Sequence, residues 1–323
     1  MKARKLFAAV TLGLGCAATA LAQTWPTQTV RIVVPFPPGG GIDILVRAIA
    51  QDLSTQWKQP VIIDNRAGGA TLIGADAVAR STPDGYTLLA TVDPTFTANR
   101  YLFKSLPYDP DNSFAPVMEM VRGDNFLLAN PSLPASDLKG LVALAKQNPK
   151  KYSFASYGSG THPQLVYEFL NKREGIDLLH VPYKGIAQVM LATVANEVNL
   201  SVGSAGVSGE MMRGNRLKPL AVAGKKRSPQ FPNVRTTAEQ GYPYLLSSIW
   251  YGLFAPAGTP PAVIRKINDD VRAILTDPAF AERQVAAKGL AVVAGTPEAL
   301  AESIREDSAR NQEMIRAAGV QPE

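Results

Sequence analysis

Apolar and polar residues follow two periods along this chain, and the two periods alternate. Val30 to Val34 is a short β-branched run, typical of a buried strand. Ile44 to Gln56 has apolar residues at the spacing of an amphipathic helix. Because strand and helix patterns alternate along almost the whole chain, the sequence predicts an α/β fold with parallel sheets.

The same reading places further elements after this first pair. Strands are predicted at 61–64, 86–91, 115–121, 126–129, 152–155, 178–181, 198–202, 219–223 and 247–255, and helices at 71–80, 136–147, 163–174 and 186–196. The final block, 260–318, reads as three helices with breaks at Asp277-Pro278 and Gly295-Thr296-Pro297.

Two glycine-rich loops each stand between a predicted strand and a predicted helix. The first runs from Pro35 to Asp43 (PFPPGGGID) and the second from Ala155 to Thr161 (ASYGSGT). Glycine lets backbone N–H groups approach a ligand, and the N-terminus of a helix favours an anion. Two such loops, far apart in the chain, predict one small anion held between two lobes.

The order of the elements divides the chain between these lobes. The final helical block has no strands of its own, so it is expected to pack back on the first lobe. The chain then crosses twice, near 121–124 and 245–248. Lobe 1 is therefore predicted as 23–122 with 247–323, and lobe 2 as 123–246.

The start of the chain is typical of an export signal. Lys2, Arg4 and Lys5 precede the apolar segment Leu6 to Leu14, and Ala20-Leu21-Ala22 suits signal peptidase. Residues 1–22 are therefore predicted as a cleaved signal peptide and the product as a periplasmic protein. Cys16 suggests a lipoprotein instead, but Gly13 stands where a lipobox usually has Leu, so cleavage after Ala22 is favoured.

Composition excludes several classes of function. The formal net charge is +6, half of it in the predicted leader, and no basic run suits nucleic acid. Cys16 is the only cysteine, so the processed protein has neither disulfide nor thiol chemistry. The two histidines, His162 and His180, lack metal-ligand spacing. We expect no metal, no cofactor and no nucleic-acid partner.

A catalytic function receives little support. Ser159 lies between two glycines near His162, but Tyr157 stands where a nucleophile elbow needs its first glycine. His162 is better explained as a residue at the start of a helix. Phosphate-loop and dinucleotide fingerprints are missing from the sequence. We predict a binding protein; a hydrolase using Ser159 or Asp43 is the weaker alternative.

Several polar residues of the loops have two explanations each. Asp43 suits the first turn of a helix, where it favours the dipole, and equally suits a ligand acceptor. Ser156 and Thr161 serve as helix caps, as hydroxyl donors to a ligand, or as both. Lys184 could neutralise an acid, but a solvated lysine on a turn is favoured.

Motifs along the whole chain resemble those of one family. Beside the first loop, they are Asp64–Gly69, Pro83–Leu88, Leu106–Asp109, Gly158–Thr161, His180–Gly185 and Gly252–Pro260. In this order they resemble the Bug-type periplasmic solute receptors of tripartite tricarboxylate transporters. The resemblance implies a two-lobed, periplasmic-binding-protein-like (Venus flytrap) α/β fold, with a small organic carboxylate in the cleft. It further implies docking on membrane permease subunits; a sensory receptor for a membrane kinase is the alternative. We expect the protein to be a monomer.

The resemblance also implies which residues bind the carboxylate, mainly through backbone N–H groups. The first loop supplies Pro38, Gly39, Gly40 and Asp43, and the second supplies Ser156, Gly158, Gly160 and Thr161. Further cleft-lining residues are Phe36, Thr91, Tyr157 and Ser204.

The sequence departs from the family pattern in five places. Ile42 replaces Thr, His162-Pro163 replaces a Ser pair, Asn199 replaces Asp, Gly203–Gly206 replaces an Asp-Asn-Leu-Pro type of segment, and Tyr157 replaces a small residue. Together they predict a less polar cleft, suited to a planar or aromatic carboxylate.

Overall fold

The computed structural model describes residues 25–158 and 160–322 of the 323-residue chain. The predicted signal peptide, including Cys16, and the candidate nucleophile Ser159 lie outside the described residues.

Ten strands and eleven α-helices occur in the described part of the chain. The strands are β1 (Val30–Val34), β2 (Val61–Asn65), β3 (Thr87–Val92), β4 (Phe114–Ala129), β5 (Ser153–Ser156), β6 (Leu179–Pro182), β7 (Leu200–Ser204), β8 (Lys218–Val222), β9 (Ser248–Pro256) and β10 (Ala291–Val292). The helices are α1 (Gly41–Trp57), α2 (Leu72–Ala79), α3 (Pro94–Thr97), α4 (Asn99–Leu102), α5 (Leu138–Gln147), α6 (His162–Glu174), α7 (Ile186–Val194), α8 (Ala205–Arg213), α9 (Pro261–Thr276), α10 (Pro278–Phe280) and α11 (Pro297–Ala318).

The strands form two sheets that share β4. The first sheet has the order β2-β1-β3-β9-β4-β10, and the second has β8-β4-β7-β5-β6. Within them, β1 pairs in parallel with β2 and β3, and β5 with β6 and β7, whereas β4 and β9 pair antiparallel. The sheets are therefore mixed: the prediction of parallel sheets is right for β1, β2 and β3 and for β5, β6 and β7 among themselves, and wrong for β4, β8, β9 and β10.

Strand β4 is a single strand of 16 residues where the sequence predicted two segments. The polar and flexible residues Arg122, Gly123 and Asp124 interrupt the apolar pattern and resemble a connection. They nevertheless pair in register with Trp250, Ile249 and Ser248 of β9, respectively. Because β9 supplies this partner strand, the ladder continues from the first sheet into the second.

Each sheet has its own apolar core. In the first core, Leu45 and Ile49 of α1 pack with Leu253 of β9 and Ile267 of α9. The second core combines β4 and β5 with one face of α6, and it includes Phe154.

The final block of the chain contacts both lobes. Its short strand β10 pairs with β4, and α9 packs in the first core, so the block does contribute to a sheet. Helix α11 reaches further: its Ile315 belongs to the second core, and Glu313 pairs with Arg173 of α6 at 2.7 Å. On the first side, Asn311 donates to the Thr97 hydroxyl at 3.0 Å. The final block therefore contacts the first core through α9 and the second core through α11.

Across residues 25–158 and 160–322, no helix has both the length and the hydropathy of a membrane span.

Candidate functional site

The topology brings the ends of several strands together where β4 passes between the sheets. In the first sheet, β9 runs against β3 and places Tyr251 beside Val92, at the carboxyl end of β3. In the second sheet, Ser204 at the end of β7 pairs with Asn125 of β4. The Asn125 N–H donates to the Ser247 carbonyl just before β9. The carboxyl ends of β3 and β7 therefore lie on either side of the β4–β9 ribbon.

The first glycine loop is held from beneath by Asp43. The loop itself, 37–41, is exposed, whereas Asp43 is only 1% exposed. Its carboxylate accepts from the Gly39 N–H at 2.8 Å, from Arg47 Nε at 3.0 Å and from Asn65 Nδ2 at 2.9 Å. Burial acts to raise the pKa of Asp43, but these hydrogen bonds outweigh it and hold that pKa below its usual value.

The amides that begin α1 stand beside this anchored loop. Gly40 is the N-cap residue of α1, and within the described residues no side chain caps the start of this helix. A Cβ built on Gly41 would meet the Tyr251 hydroxyl at 2.8 Å, so the loop passes close to β9. The uncapped first turn offers backbone N–H donors and the positive end of the helix dipole to an acceptor outside the chain.

The second glycine loop is held by uncharged groups. Ser156 is fully buried, and its hydroxyl lies 2.6 Å from Nε2 of His180. The Thr161 hydroxyl donates to the Gly158 carbonyl at 2.7 Å, inside the loop. Gly158 has φ +135°, a conformation that side chains strongly disfavour.

The two loops share one anchoring device that the sequence reasoning missed. The Gly160 N–H donates to Oε1 of Gln164 at 2.7 Å, as the Gly39 N–H donates to Asp43. In both cases the residue before the helix cap bonds the side chain at the third helical position. The spacing Thr161-His162-Pro163-Gln164 fits a capping box and was the signal available in the sequence.

The remaining cleft-lining candidates differ in their exposure. Thr91 is fully buried, and its hydroxyl bonds that of Thr95 at 2.7 Å. Phe36, Tyr157 and Ser204 are half-buried. Burial raises the pKa of Tyr157, so its hydroxyl stays protonated over the physiological range. Pro38 is exposed on the first loop and has no N–H to donate.

Two of the departures from the family pattern lie away from the loop surface. Ile42 is 3% exposed and belongs to the first core, so the expectation that it makes the cleft less polar is wrong. Asn199 accepts from the Ser153 N–H at 3.0 Å, at the amino end of β5 and opposite to the second loop. Lys184 is exposed, in agreement with a solvated side chain.

His162, the first residue of α6, contacts the first lobe. Its Nε2 lies 3.4 Å from Oδ2 of Asp93, which follows β3. Its Nδ1 lies 3.3 Å from the Ser247 hydroxyl. Sequence reasoning explained His162 as a helix start only and did not single out Asp93, because nothing in the sequence connects positions so far apart.

Two cavities of the described structure are lined by residues of both β4 and β10. They measure about 290 Å³ and about 520 Å³ and share Arg122, Asp124 and Pro229 in their walls. Arg122 is already paired there with Glu119 at 2.6 Å. Neither cavity is lined by the glycine loops, whose uncapped helix start remains the better candidate for an anion.

Two mixed sheets that share the β4–β9 ribbon are typical of a two-lobed solute-binding protein. The chain belongs to the tripartite tricarboxylate transporter receptor family, whose model matches residues 45–320. This is a family of receptors, which confirms the prediction of a binding protein over an enzyme.

Individual relatives agree with this assignment. The chain is 33% identical over 306 residues to the protein BugT of Bordetella pertussis, covering 94% of each chain. A structure of a protein from R. palustris with adipate is 31% identical and covers 93% of this chain and 100% of that one, with a TM-score of 0.77. The structure of MatC from Rhodopseudomonas palustris with bound malate is 29% identical, covering 90% and 100%, with a TM-score of 0.72. The predicted two-lobed α/β fold and the Bug-type family are therefore confirmed.

Proposed function

We propose that this protein is a periplasmic receptor that captures a small organic carboxylate between its two glycine loops. The observation that carries the proposal is the uncapped start of α1, presented by a loop that Asp43 anchors from beneath. A carboxylate fits such a site because it accepts several N–H bonds at once and is favoured by the helix dipole. The adipate and malate in the two related structures are dicarboxylates and support this ligand class.

The hydrogen bonds within the loops refine the set of donors. The N–H groups of Gly39 and Gly160 already bond side chains of the chain itself. We therefore assign the ligand N–H bonds of the first loop to Gly40 and Gly41. Those of the second loop come from Thr161, with Gly158 shaping the turn.

Capture follows from the position of the loops on different lobes. We propose that the lobes comprise residues 23–122 with 247–323 and residues 123–246, joined by the β4–β9 ribbon. A ligand that bonds both loops favours the arrangement in which the lobes are close, and its differential affinity sets how far the balance shifts.

The rest of the ligand is recognised by the surroundings of the two loops. Tyr157 of the second loop and Tyr251 of β9 are both half-buried. The charge of Asp93 acts on the pKa of each tyrosine, which supports their lying near one another. Two phenol rings favour a flat apolar body, so we propose a planar or aromatic carboxylate.

Cellular partners follow from the family. We propose that residues 1–22 direct export and are removed. The loaded receptor then delivers its ligand to the membrane permease subunits of a tripartite transporter.

Two measurements test this proposal. Mass spectrometry of the purified protein identifies any co-purified acid, and calorimetry compares benzoate, phthalate, malate and adipate. We expect micromolar binding of at least one acid. Binding of malate and adipate alone would refute the aromatic preference, and failure of the entire panel, with no acid co-purifying, would refute carboxylate capture.

A further inference from the structure

A buried ion pair joins the two lobes beside the second glycine loop. Asp93 and His162 approach to 3.4 Å, with side chains 3% and 19% exposed. Asp93 is fixed on the first lobe, where its N–H donates to the Trp250 carbonyl at 3.3 Å and its Oδ1 accepts from the Trp250 N–H at 3.4 Å. His162 is fixed on the second lobe as the first residue of α6.

We propose that Asp93 and His162 form a proton-dependent latch: protonated His162 holds the lobes in the arrangement seen here, and its deprotonation loosens that arrangement. The proposal concerns lobe position, and its consequence for ligand affinity rests on the proposed function.

The hydrogen bonds around the ring suit both protonation states. The Ser247 hydroxyl, 3.3 Å from Nδ1, donates to the neutral ring or accepts from the charged one. Its oxygen also accepts from Asn125 Nδ2 at 2.9 Å. Because both ring nitrogens have a hydrogen-bond partner in either protonation state, deprotonation changes the charge of the contact and leaves neither nitrogen unpaired.

The charged groups that face the pair come from three elements. Asp93 follows β3, and Asp307 and Arg310 of α11 line the same small cavity of about 10 Å³ as His162. Asp307 is itself held by the Trp250 indole N–H at 2.8 Å and by Arg310. Arg122 of β4 also reaches Asp307, at 3.5 Å. The carboxylate in direct contact with the ring is that of Asp93, and this contact favours the imidazolium.

The pKa shifts agree with this geometry. Burial acts to lower the pKa of His162, but the hydrogen bond and charge of Asp93, with the charge of Asp307, outweigh it; Arg310 opposes them, and the net shift is upward. Burial raises the pKa of Asp93, and the bond to His162 counteracts this.

The direction of the pH effect follows from the raised pKa of His162. The pKa of a free histidine is about 6.5. The latch is therefore complete below that value and is lost as the pH rises through the raised pKa of His162 in the Asp93–His162 contact. A carboxylate receptor with this latch binds more tightly in mildly acidic than in alkaline solution.

The test measures the separation of the lobes without ligand. Spin labels at Gln51→Cys and Lys172→Cys, two exposed positions on opposite lobes, are placed in a Cys16→Ser background, since Cys16 is the only cysteine. We expect the inter-label distance to increase between about pH 6 and about pH 8. His162→Gln and Asp93→Asn should each remove this pH dependence.

His180→Gln is the matched control, because His162 and His180 are the only histidines. It should keep the pH dependence. A distance that is constant with pH in the parent, or that changes equally in His162→Gln, would overturn the latch.

Ligand binding is a separate second readout. With malate as the probe, we expect several-fold weaker affinity at the higher pH in the parent and a flat profile in His162→Gln. If malate, adipate and benzoate all fail to bind while the distance responds to pH, the latch stands and the proposed ligand class fails. Binding that is independent of pH in the parent contradicts the coupling between latch and ligand.

Discussion

The two glycine loops share the same anchoring hydrogen bond, but the anchoring side chain is charged in the first loop and neutral in the second. Each bonds an N–H before the helix to the third residue of that helix, yet the first uses the carboxylate of Asp43 and the second the amide of Gln164. The first anchor is part of a charged network with Arg47, whereas the second lies among hydroxyls and His180. In each loop these side chains orient the backbone, which supports the proposal that the backbone binds the ligand.

Removing the two anchors should reveal their difference most strongly. Asp43→Ala leaves Asn65 and Arg47 without their shared acceptor, and we expect a loss of about 3 kcal/mol in the free energy of unfolding. Gln164→Ala removes one neutral bond and should cost about 1 kcal/mol. Urea unfolding measures both values; equal losses would show that the charge of the first anchor is unimportant.

Substitutions at Gly158 and Gly40 distinguish the effect of backbone strain from the effect of blocking access to the ligand. Gly158→Val forces a side chain into φ +135° and should lose roughly 1–3 kcal/mol of stability as well as affinity. Gly40 has φ −73°, and its nearest neighbour is 3.8 Å from an added Cβ. Gly40→Val should therefore weaken carboxylate binding with less loss of stability. Unchanged affinity in both variants would contradict the backbone cradle.

Ile42 tests whether a family departure acts through the core. Because Ile42 is buried among apolar residues, Ile42→Thr should cost about 1–2 kcal/mol of stability by adding a hydroxyl to the core. Ligand preference in calorimetry should stay the same. A changed preference among benzoate, malate and adipate would restore a direct role for this position.

Acid should weaken the first anchor and leave the second intact. The pKa of Asp43 is lowered in the folded protein, so its contribution is present above about pH 4 and is lost as the pH falls through the lowered value. The stability difference between the parent and Asp43→Asn, on the order of 1 kcal/mol at neutral pH, should shrink in acid. Gln164→Ala should show a difference independent of pH. A constant difference for Asp43→Asn would mean that the carboxylate charge does not stabilise the loop.

Local sequence patterns predicted the fold well where the secondary structure of an element depends on its own residues. The predicted strand at 30–34 matches β1, and the break at Asp277-Pro278 falls where α9 ends. These patterns failed where the structure of a segment depends on another segment that pairs or packs with it. Arg122 to Asp124 are strand residues only because β9 pairs with them, and α11 contacts both lobes through residues that a helix pattern does not distinguish.

The candidate site was predictable to a similar extent. Glycine patterns located both loops, since glycine content is a local property of the chain. The anchor Gln164 had a local signal in the capping-box spacing, but the pair Asp93–His162 had none. Contacts between lobes depend on the complete topology, so they became visible only in the structure.

The position of β9 also constrains the order in which the chain can fold during synthesis. Its residues, 248–256, come after the whole of the second lobe, yet they lie between β3 and β4 in the first sheet. Until they emerge, β3 and β4 each present an unpaired edge, a surface prone to wrong pairing. The segment 123–246 can collapse first, and the first lobe is completed only by its late returning strand.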